Sequence, residues 1–219
     1  MTAAPSIASA KAFAAGNRTG HAARETDDFY PTPPCATEAL LAVEKFEGPI
    51  WEPACGTGDM SRVLEAAGHR VISTDLVDRG YGEGGRDFLC EWQPIAPNIV
   101  TNPPFRSATE FVDRALQLTH PPDRHTPGAW IPKGGVTRKV ALFLRLAFLE
   151  GQARGRWFPA TPLARVWIMS RRVPIGKGRL LAADETSGPL AFAWFVWDQY
   201  HAGHPELRFL DWKHPERSA

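Results

Sequence analysis

The stretch WEPACGTGDMS, residues 51–61, decides the fold of this chain. A short apolar run at 49–52 precedes its glycines and predicts a buried strand. Apolar residues at i, i+3, i+4 and i+7 predict a helix over residues 59–68, and Gly68 is its stop. A second predicted strand, 70–74, runs into Asp75. Strand, glycine loop, helix and strand in this order predict a βαβ unit, which requires parallel strands.

Further strands and helices alternate on both sides of this unit. The predicted helices lie at 35–45 and 107–118, the predicted strands lie at 98–101, 164–170, 190–196 and 207–210, and the apolar segment 139–149 is a core element of either type. This alternation predicts the α/β class, with a doubly wound, mostly parallel sheet and helices on both faces. Residues 1–25 contain nine Ala and one acid and predict a disordered tail. Residues 26–219 are expected to form a single domain.

The composition is that of a globular protein. Of the 219 residues, 43% are apolar and 22% are charged, which excludes a wholly disordered chain. No apolar run approaches the 18 residues that a membrane-spanning helix needs. The three cysteines, Cys35, Cys55 and Cys90, lack the spacing of metal ligands. They predict no disulfide framework and no zinc site, and they favour a reducing, cytoplasmic location.

A basic segment lies within this nearly neutral chain. The net charge is +1, but residues 121–180 contain 12 Lys and Arg against 2 Asp and Glu, a local excess of +10. Such an excess is typical of a nucleic-acid footprint. It is equally typical of a solvated Arg-rich surface, so charge alone leaves both interpretations open. The loops predicted at 120–138 and 173–188 are the candidates for contacting a nucleic acid.

The glycine loop and the acids that follow it predict a site for a nucleoside-containing ligand. Gly56 and Gly58 would let the backbone approach the ligand, and Asp75 would pair with the two ribose hydroxyls. Asp87, where the next strand would end, would accept from the adenine amino group while Phe88 packs on the ring. Either acid alone is a local loop carboxylate, but together at this spacing they indicate the site. The phosphate-free version of such a site holds S-adenosylmethionine.

The sequence Asn-Pro-Pro-Phe at 102–105 predicts a rigid corner, since two consecutive prolines cannot continue a strand ladder. Asn102 Oδ1 and the Pro103 carbonyl would each accept one N–H of an exocyclic amine. This would free the amine lone pair for in-line attack on a methyl sulfonium. Phe105 would offer a flat face to a planar amide or to a flipped-out base. The chemistry requires no catalytic histidine, and the alternative is an ordinary proline-rich turn.

Four motifs together resemble S-adenosylmethionine-dependent amino-methyltransferases, most closely the small phage and prophage DNA adenine-N6 methyltransferases. They are WEPACGTGDMS (51–61), STDL (73–76), DFL (87–89) and TNPPF (101–105). In addition, DDFYPTPP (27–34) is similar to the upstream element of that family, and segments 140–151, 165–172 and 189–198 resemble its C-terminal half. The resemblance implies a Rossmann-like methyltransferase sheet of seven strands.

The resemblance also implies a role for each matching residue. The cofactor-binding set is Tyr30, Thr32, Glu52, Ala54, Gly56, Gly58, Asp75, Leu76, Asp87 and Phe88, with Tyr30 and Thr32 reaching the methionine portion of S-adenosylmethionine. The catalytic set is Asn102, Pro103, Pro104 and Phe105. The charge excess of residues 121–180, and not the resemblance, gives the basic residues expected to contact nucleic acid: Arg124, Lys133, Arg138, Lys139, Arg171 and Arg172. No metal is implied.

The substrate that the resemblance implies is adenine N6 in DNA. The alternatives are adenine in RNA and a protein glutamine side chain, whose planar amide nitrogen suits the same corner. Cytosine N4 usually goes with Ser in place of Asn102, and an inactive DNA-binding remnant is the non-enzymatic alternative. Phe105 replaces the Tyr of many relatives, and no room remains for a large target-recognition domain. We therefore expect a short target sequence, a monomer or weak dimer, and a partner as a candidate source of specificity.

Overall fold

The fold is built on one mixed sheet. The computed structural model describes residues 29–119, 138–176, 178, 180 and 190–215. Seven strands occur in these ranges: β1 (Ile50–Glu52), β2 (Val71–Ser73), β3 (Asn98–Thr101), β4 (Lys139–Arg145), β5 (Leu163–Met169), β6 (Phe192–Asp198) and β7 (Glu206–Leu210). Their order across the sheet is β2-β1-β3-β4-β6-β5-β7.

Most neighbouring strands in this sheet are parallel. β2, β1, β3 and β4 run in one direction, and β7 lies parallel to β5 at the edge. β6 is the reversed strand, antiparallel to both β4 and β5. The mostly parallel sheet of seven strands is thereby confirmed.

Four helices accompany the strands in the described ranges: α1 (Pro34–Val43), α2 (Asp59–Ala66), α3 (Ala108–Thr119) and α4 (Gln152–Trp157). α1 begins at Pro34, whose fixed φ and missing N–H suit a first helical turn. α2 follows Gly58, whose φ of 83° lies in the left-handed region that favours glycine. The short 3-10 turns lie at Phe88–Cys90, Phe105–Ser107, Leu146–Leu149 and Phe158–Ala160.

Helices cover both faces of the sheet because its central strands are apolar on both sides. Along β4, Ala141 and Phe143 belong to one cluster of buried side chains, whereas Val140, Leu142 and Leu144 belong to the other. α1 and α2 pack in the first cluster and α3 packs in the second. Burial on both faces explains why β4 is a continuous apolar run. The doubly wound arrangement is therefore confirmed.

The structure departs from the sequence prediction after β2. The strand expected to end at Asp87 is absent; this part of the chain makes one isolated bridge, between Thr74 and Glu83. Asp87 instead begins a 3-10 turn, where its side chain accepts a hydrogen bond from the Leu89 N–H. Four of the six residues at 80–85 are glycines, so the apolar side chains that would pack a strand are missing there.

The segments beyond β3 resolve two further points. The apolar segment 139–149 divides into β4 and a 3-10 turn. α4, with the sequence QARGRW, has no apolar stripe that would predict it. The predicted tail at 1–25, the loop at 120–138 except for its last residue, and most of the connection at 173–188 lie outside the described residues. Among the residues that are described, none belongs to a helix long and apolar enough to cross a membrane.

Candidate active site

A large cavity lies where three parallel strands end. β1, β2 and β3 lead into the glycine loop (residues 53–58), Asp75 and the 102–105 corner. Parallel strands end at the same edge of a sheet, so these segments meet around the cavity. Residues 29–32 and 86–90 add to its wall. This main cavity has a volume of about 780 Å³.

Nearly all residues of the predicted cofactor-binding and catalytic sets line the main cavity. They are Tyr30, Thr32, Glu52, Ala54, Gly56, Asp75, Leu76, Asp87, Phe88, Asn102, Pro103, Pro104 and Phe105. Gly58 is the exception. A Cβ at Gly58 would lie 2.4 Å from Cγ of Tyr81, so this glycine makes room for an aromatic ring and does not line the cavity.

Asp75 is held in place by three donors. Its Oδ2 accepts from the Gly56 N–H at 2.7 Å, and its Oδ1 accepts from the Val77 N–H at 2.8 Å and from Arg79 at 3.0 Å. Arg79 in turn lies over the Phe29 ring, 4.5 Å from its centroid. Each carboxylate oxygen has two lone pairs, so Oδ2 still has acceptor capacity for a ligand hydroxyl.

Glu52 is a buried carboxyl group in the cavity wall. It accepts a hydrogen bond from Ser61, which also contacts the Ser73 hydroxyl at 2.6 Å. Burial raises the pKa of Glu52 well above its usual range; the Ser61 hydrogen bond opposes this shift, and the nearby Asp75 adds to it. The wall therefore offers a carboxyl group that a bound cation would help to ionise.

Phe88 and Asp87 contribute differently from one another. The Phe88 ring is only 2% exposed and packs against Trp51 and Phe111, at centroid distances of 5.1 and 4.9 Å. It is therefore a core ring with one margin in the cavity wall. The Asp87 carboxylate accepts from the Leu89 N–H at 2.9 Å, which orients it at the start of its turn.

The Asn102 amide is oriented by the segment that precedes α1. Its Nδ2 donates to the Tyr30 carbonyl and to the Thr32 hydroxyl, both at 3.0 Å. A carbonyl can only accept, so the amide nitrogen must be on this side. Asn102 Oδ1 is buried and has no hydrogen-bond partner among the described residues. A buried acceptor without a donor is costly, so this atom is available for a donor from a bound molecule.

The Phe105 ring is less open than the sequence suggests. Tyr30 and Phe192 pack near it at centroid distances of 5.1 and 5.8 Å, and the Arg145 guanidinium lies 4.2 Å from its centroid. Arg145 ends β4 as Thr101 ends β3, so it approaches the corner from the neighbouring strand. The corner therefore includes a cation that its sequence motif does not contain.

Two of the predicted nucleic-acid contacts are internal, which corrects the prediction that these charges are on the surface. Arg138 is 6% exposed and donates to the Thr119 carbonyl at 2.9 Å. Lys139 pairs with the buried Glu44 at 2.8 Å, and Arg165 pairs with the same carboxylate. Part of the basic excess therefore neutralises acids within the fold.

The remaining predicted contacts are divided. Arg171 and Arg172 are exposed, and Arg171 pairs with Asp211 at 2.7 Å. Arg124 and Lys133 lie outside the described residues. No group of three or more His, Cys, Asp or Glu in the described part of the chain is placed to hold a metal ion.

Several residues of the site were given no role by the sequence motifs. Phe29 lies in the 27–34 element and Arg145 in segment 140–151, but neither was assigned a role, and Arg79 lies in no motif. Each acts through a contact with a residue distant in sequence or with a neighbouring turn. Only Arg145 was accessible to sequence reasoning, because it ends an apolar run as Asn102 follows one. Side chains at strand ends of a parallel sheet are expected to lie near a ligand.

No protein-family model matches the chain, and no curated protein matches it. Among solved structures it is similar to a modification subunit assigned to a type I restriction enzyme from Vibrio vulnificus YJ016. The TM-score is 0.51 at 14% sequence identity, over 86% of this chain and 48% of that one. The chain thus spans about half the length of this structure.

Two further solved structures resemble the chain less closely. A dimethyladenosine transferase from Plasmodium falciparum gives a TM-score of 0.46 at 14% identity, over 76% of this chain and 61% of its own. A magnesium protoporphyrin IX methyltransferase from Synechocystis PCC 6803, with bound S-adenosylmethionine, gives a TM-score of 0.45 at 13% identity, over 74% of this chain and 76% of its own. At these identities only the fold is carried over: the chain has a Rossmann-like α/β fold similar to that of the modification subunit.

Proposed function

We propose that this protein is an S-adenosylmethionine-dependent methyltransferase acting on the N6 amino group of adenine in DNA. The observation that carries the proposal is the buried Asn102 Oδ1, an acceptor without a donor at the wall of the main cavity. An exocyclic amine is a donor that would satisfy it. The fold and the match of the glycine loop to the amino-methyltransferase pattern support the same reaction.

The main cavity fits S-adenosylmethionine in size and in chemistry. A volume of about 780 Å³ lies within the usual range for small-molecule sites. We assign Asp75 to the ribose hydroxyls, Ala54, Gly56 and Leu76 to the walls around the nucleoside, and Asp87 and Phe88 to the adenine. We assign Tyr30, Thr32 and Glu52 to the methionine portion, whose ammonium group would stabilise the ionised form of the Glu52 carboxyl.

Residues of the 102–105 corner bind and orient the substrate amine. S-adenosylmethionine, when bound, supplies a methyl group whose C–S electron pair stays on sulfur. Asn102 Oδ1 and the Pro103 carbonyl accept the two N–H groups and so direct the nitrogen lone pair away from the base plane. Pro103 and Pro104 keep these acceptors fixed, which places the amine without loss of backbone freedom during the reaction.

The nitrogen carries a positive charge after the transfer and releases one of its protons to solvent water. None of the described residues lining the main cavity is a histidine, and this chemistry needs none. Phe105 and the Arg145 guanidinium together form a flat, cationic surface for a planar base.

DNA is the substrate we favour over RNA and over a protein glutamine. The basic excess of residues 121–180 supports a nucleic acid, although Arg138 and Lys139 do not contribute to its surface. The modification subunit named above acts in a restriction system, which favours DNA by analogy. We further propose a short target sequence in DNA, and a partner protein as the source of any longer specificity.

The test is methyl transfer from labelled S-adenosylmethionine to separate pools of duplex DNA, RNA and protein, followed by nucleoside and amino-acid analysis. We expect N6-methyladenine in DNA from the wild-type chain. Asn102→Ala should reduce the rate by about a hundredfold or more, because it removes an interaction made with the reacting group. Label in RNA or in glutamine with none in DNA would show that DNA is not the substrate. Undiminished turnover by Asn102→Ala would refute the mechanism.

A further inference from the structure

A second cavity, of about 220 Å³, opens at the same edge of the sheet as the main cavity but near β5 and β6. Its wall includes Leu146, Ile168, Ser170, Arg171, Arg172 and Phe192. These residues follow β4, end or follow β5, and begin β6, and since β6 is reversed its first residue lies at this edge. No residue of this wall belongs to the wall of the main cavity.

One aromatic ring joins the second cavity to the 102–105 corner. Phe192 lines the second cavity and contacts the Phe105 ring at a centroid distance of 5.8 Å. Arg145, opposite Phe192 in the β4–β6 register, lies on Phe105. The second cavity therefore lies next to the 102–105 corner, with the Phe105 and Phe192 rings between them.

The two adjacent arginines of the second cavity differ in whether an acid pairs with them. Arg171 Nε donates to both carboxylate oxygens of Asp211, at 2.7 and 2.9 Å, so its charge is neutralised. Arg172 is exposed, and no acid among the described residues pairs with it. Arg172 thus gives the cavity its positive charge, beside the apolar wall formed by Leu146, Ile168 and Phe192.

We infer that the second cavity is a phosphodiester site of the substrate, in which Arg172 contacts a backbone phosphate next to the target nucleotide. The inference rests on the proposed function and deepens it from an amine to a nucleotide within a strand. A guanidinium suits this role because it binds phosphate oxygens through paired N–H donors. Such a contact positions the strand and reads no sequence.

The test measures binding of the full chain to a short fluorescent DNA duplex over a range of salt concentrations, with S-adenosylhomocysteine present to prevent turnover. Arg172→Gln should weaken binding and reduce the slope of log affinity against log salt by about 0.9, the value for one phosphate contact. Arg156→Gln is the matched control, because it removes the same charge from an exposed side chain of α4 outside the cavity. Arg171→Gln should change the slope less than Arg172→Gln, since Asp211 already neutralises Arg171.

The outcomes separate this inference from the proposed function. A slope that falls for Arg172→Gln and not for Arg156→Gln, with unchanged circular dichroism and cofactor affinity, supports the phosphate site. Equal slopes for these two variants, in a protein that still methylates DNA, overturn the phosphate site alone. A wild-type protein that binds no DNA and instead methylates a glutamine peptide overturns both.

Discussion

At the scale of single residues, the orientation of one amide determines what the site can do. Asn102 would offer a donor or an acceptor to the cavity depending on how its amide is turned. The Tyr30 carbonyl and the Thr32 hydroxyl hold its nitrogen, so the oxygen is the atom left over. Thr32 is thus a positioning residue for the proposed reaction as well as part of the cavity wall.

This interpretation predicts a rate effect for Thr32→Val. The variant keeps the side-chain volume but loses the acceptor for Asn102 Nδ2, a hydrogen bond worth about 1 kcal/mol. We expect kcat at saturating cofactor to fall about fivefold, the equivalent of that energy. Thr32→Ser restores the hydroxyl and should restore most of the rate. A purely structural role for Thr32 would instead lower thermal stability in both variants and leave kcat similar.

A second residue-scale prediction concerns Glu52. Its pKa is raised in the folded protein by burial, so the unfolded chain ionises first as the pH rises above about 4.5. Stability is therefore lost as the pH rises from that value toward the folded pKa. Glu52→Gln should therefore increase the free energy of unfolding at pH 7, because the variant side chain has no charge to bury.

Urea unfolding of the Glu52→Gln variant and the wild type between pH 4 and pH 8 checks this prediction. The difference between the two should vanish near pH 4, where both forms are neutral at this position. A Glu52→Gln variant that is less stable than the wild type at pH 7 would show that the buried carboxyl is ionised and favourably paired.

At the scale of elements, the glycine loop is shaped by the aromatic rings that pack on it. Gly58 starts α2 with φ at 83°, and its Cα faces the Tyr81 ring. Gly56 has φ at 55°, and a Cβ there would lie 2.5 Å from the Phe29 ring. At both positions a side chain would therefore overlap an aromatic ring, which explains the glycines. Of the two, Gly56 also lines the main cavity.

Gly58→Ala should destabilise the protein by about 2 kcal/mol or more. The cost combines a left-handed conformation, about 1–3 kcal/mol for a residue with a Cβ, and the overlap with Tyr81. In a double-mutant cycle, Tyr81→Ala should remove the overlap and leave the conformational cost. Gly155→Ala in α4 is the control, since a Cβ there meets open space and should be neutral or slightly stabilising. Equal free energies of unfolding for the two alanine variants would refute this account.

At the scale of the whole molecule, one buried carboxylate ties α1 to the second half of the sheet. Glu44, just after α1, accepts from Lys139 at the start of β4, and from Arg165 and Trp167 of β5. Burial alone would raise the pKa of Glu44, but the hydrogen bonds from Arg165, Lys139 and Trp167 outweigh it and lower that pKa. The cluster lies at the edge opposite the main cavity, where β4 and β5 begin.

Glu44→Gln should therefore lower the free energy of unfolding at pH 7 by about 3 kcal/mol, the lower end of the range for breaking a buried pair. Lys139 and Arg165 lose their buried partner and keep only Asp198, at 4.0 and 3.6 Å. The folded pKa is depressed, so the contribution of Glu44 is present above about pH 4.5 and is lost as the pH falls through the folded pKa. The gap between variant and wild type should thus narrow in acid, opposite in sign to the Glu52 effect. Denaturant unfolding at several pH values measures both the loss of stability at pH 7 and its decrease in acid. A Glu44→Gln variant as stable as the wild type at pH 7 would refute the stabilising role of Glu44.

Much of the fold was predictable from the sequence, because its determinants are local. The run at 49–52, the glycines of the loop and the apolar spacing of α2 each act within a few residues. β3 was predicted at the bounds that it has, since an apolar run before two prolines can end only there. The prediction of a strand before Asp87 was wrong. The glycines of this segment provide no apolar side chains to pack, and the expected strand does not form.

The sequence by itself determined the order of the βαβ unit and the rigid corner. It also predicted about half of the residues that line the main cavity, since strand ends of a parallel sheet meet wherever they occur in the chain. Only the tertiary structure decided how these groups are used. Tyr30 and Thr32 orient Asn102 from 72 and 70 residues away, and packing withdraws Arg138 and Lys139 from the surface. The physical reason is that hydrogen-bond direction and burial depend on which distant side chains pack together, and a local pattern does not contain that information.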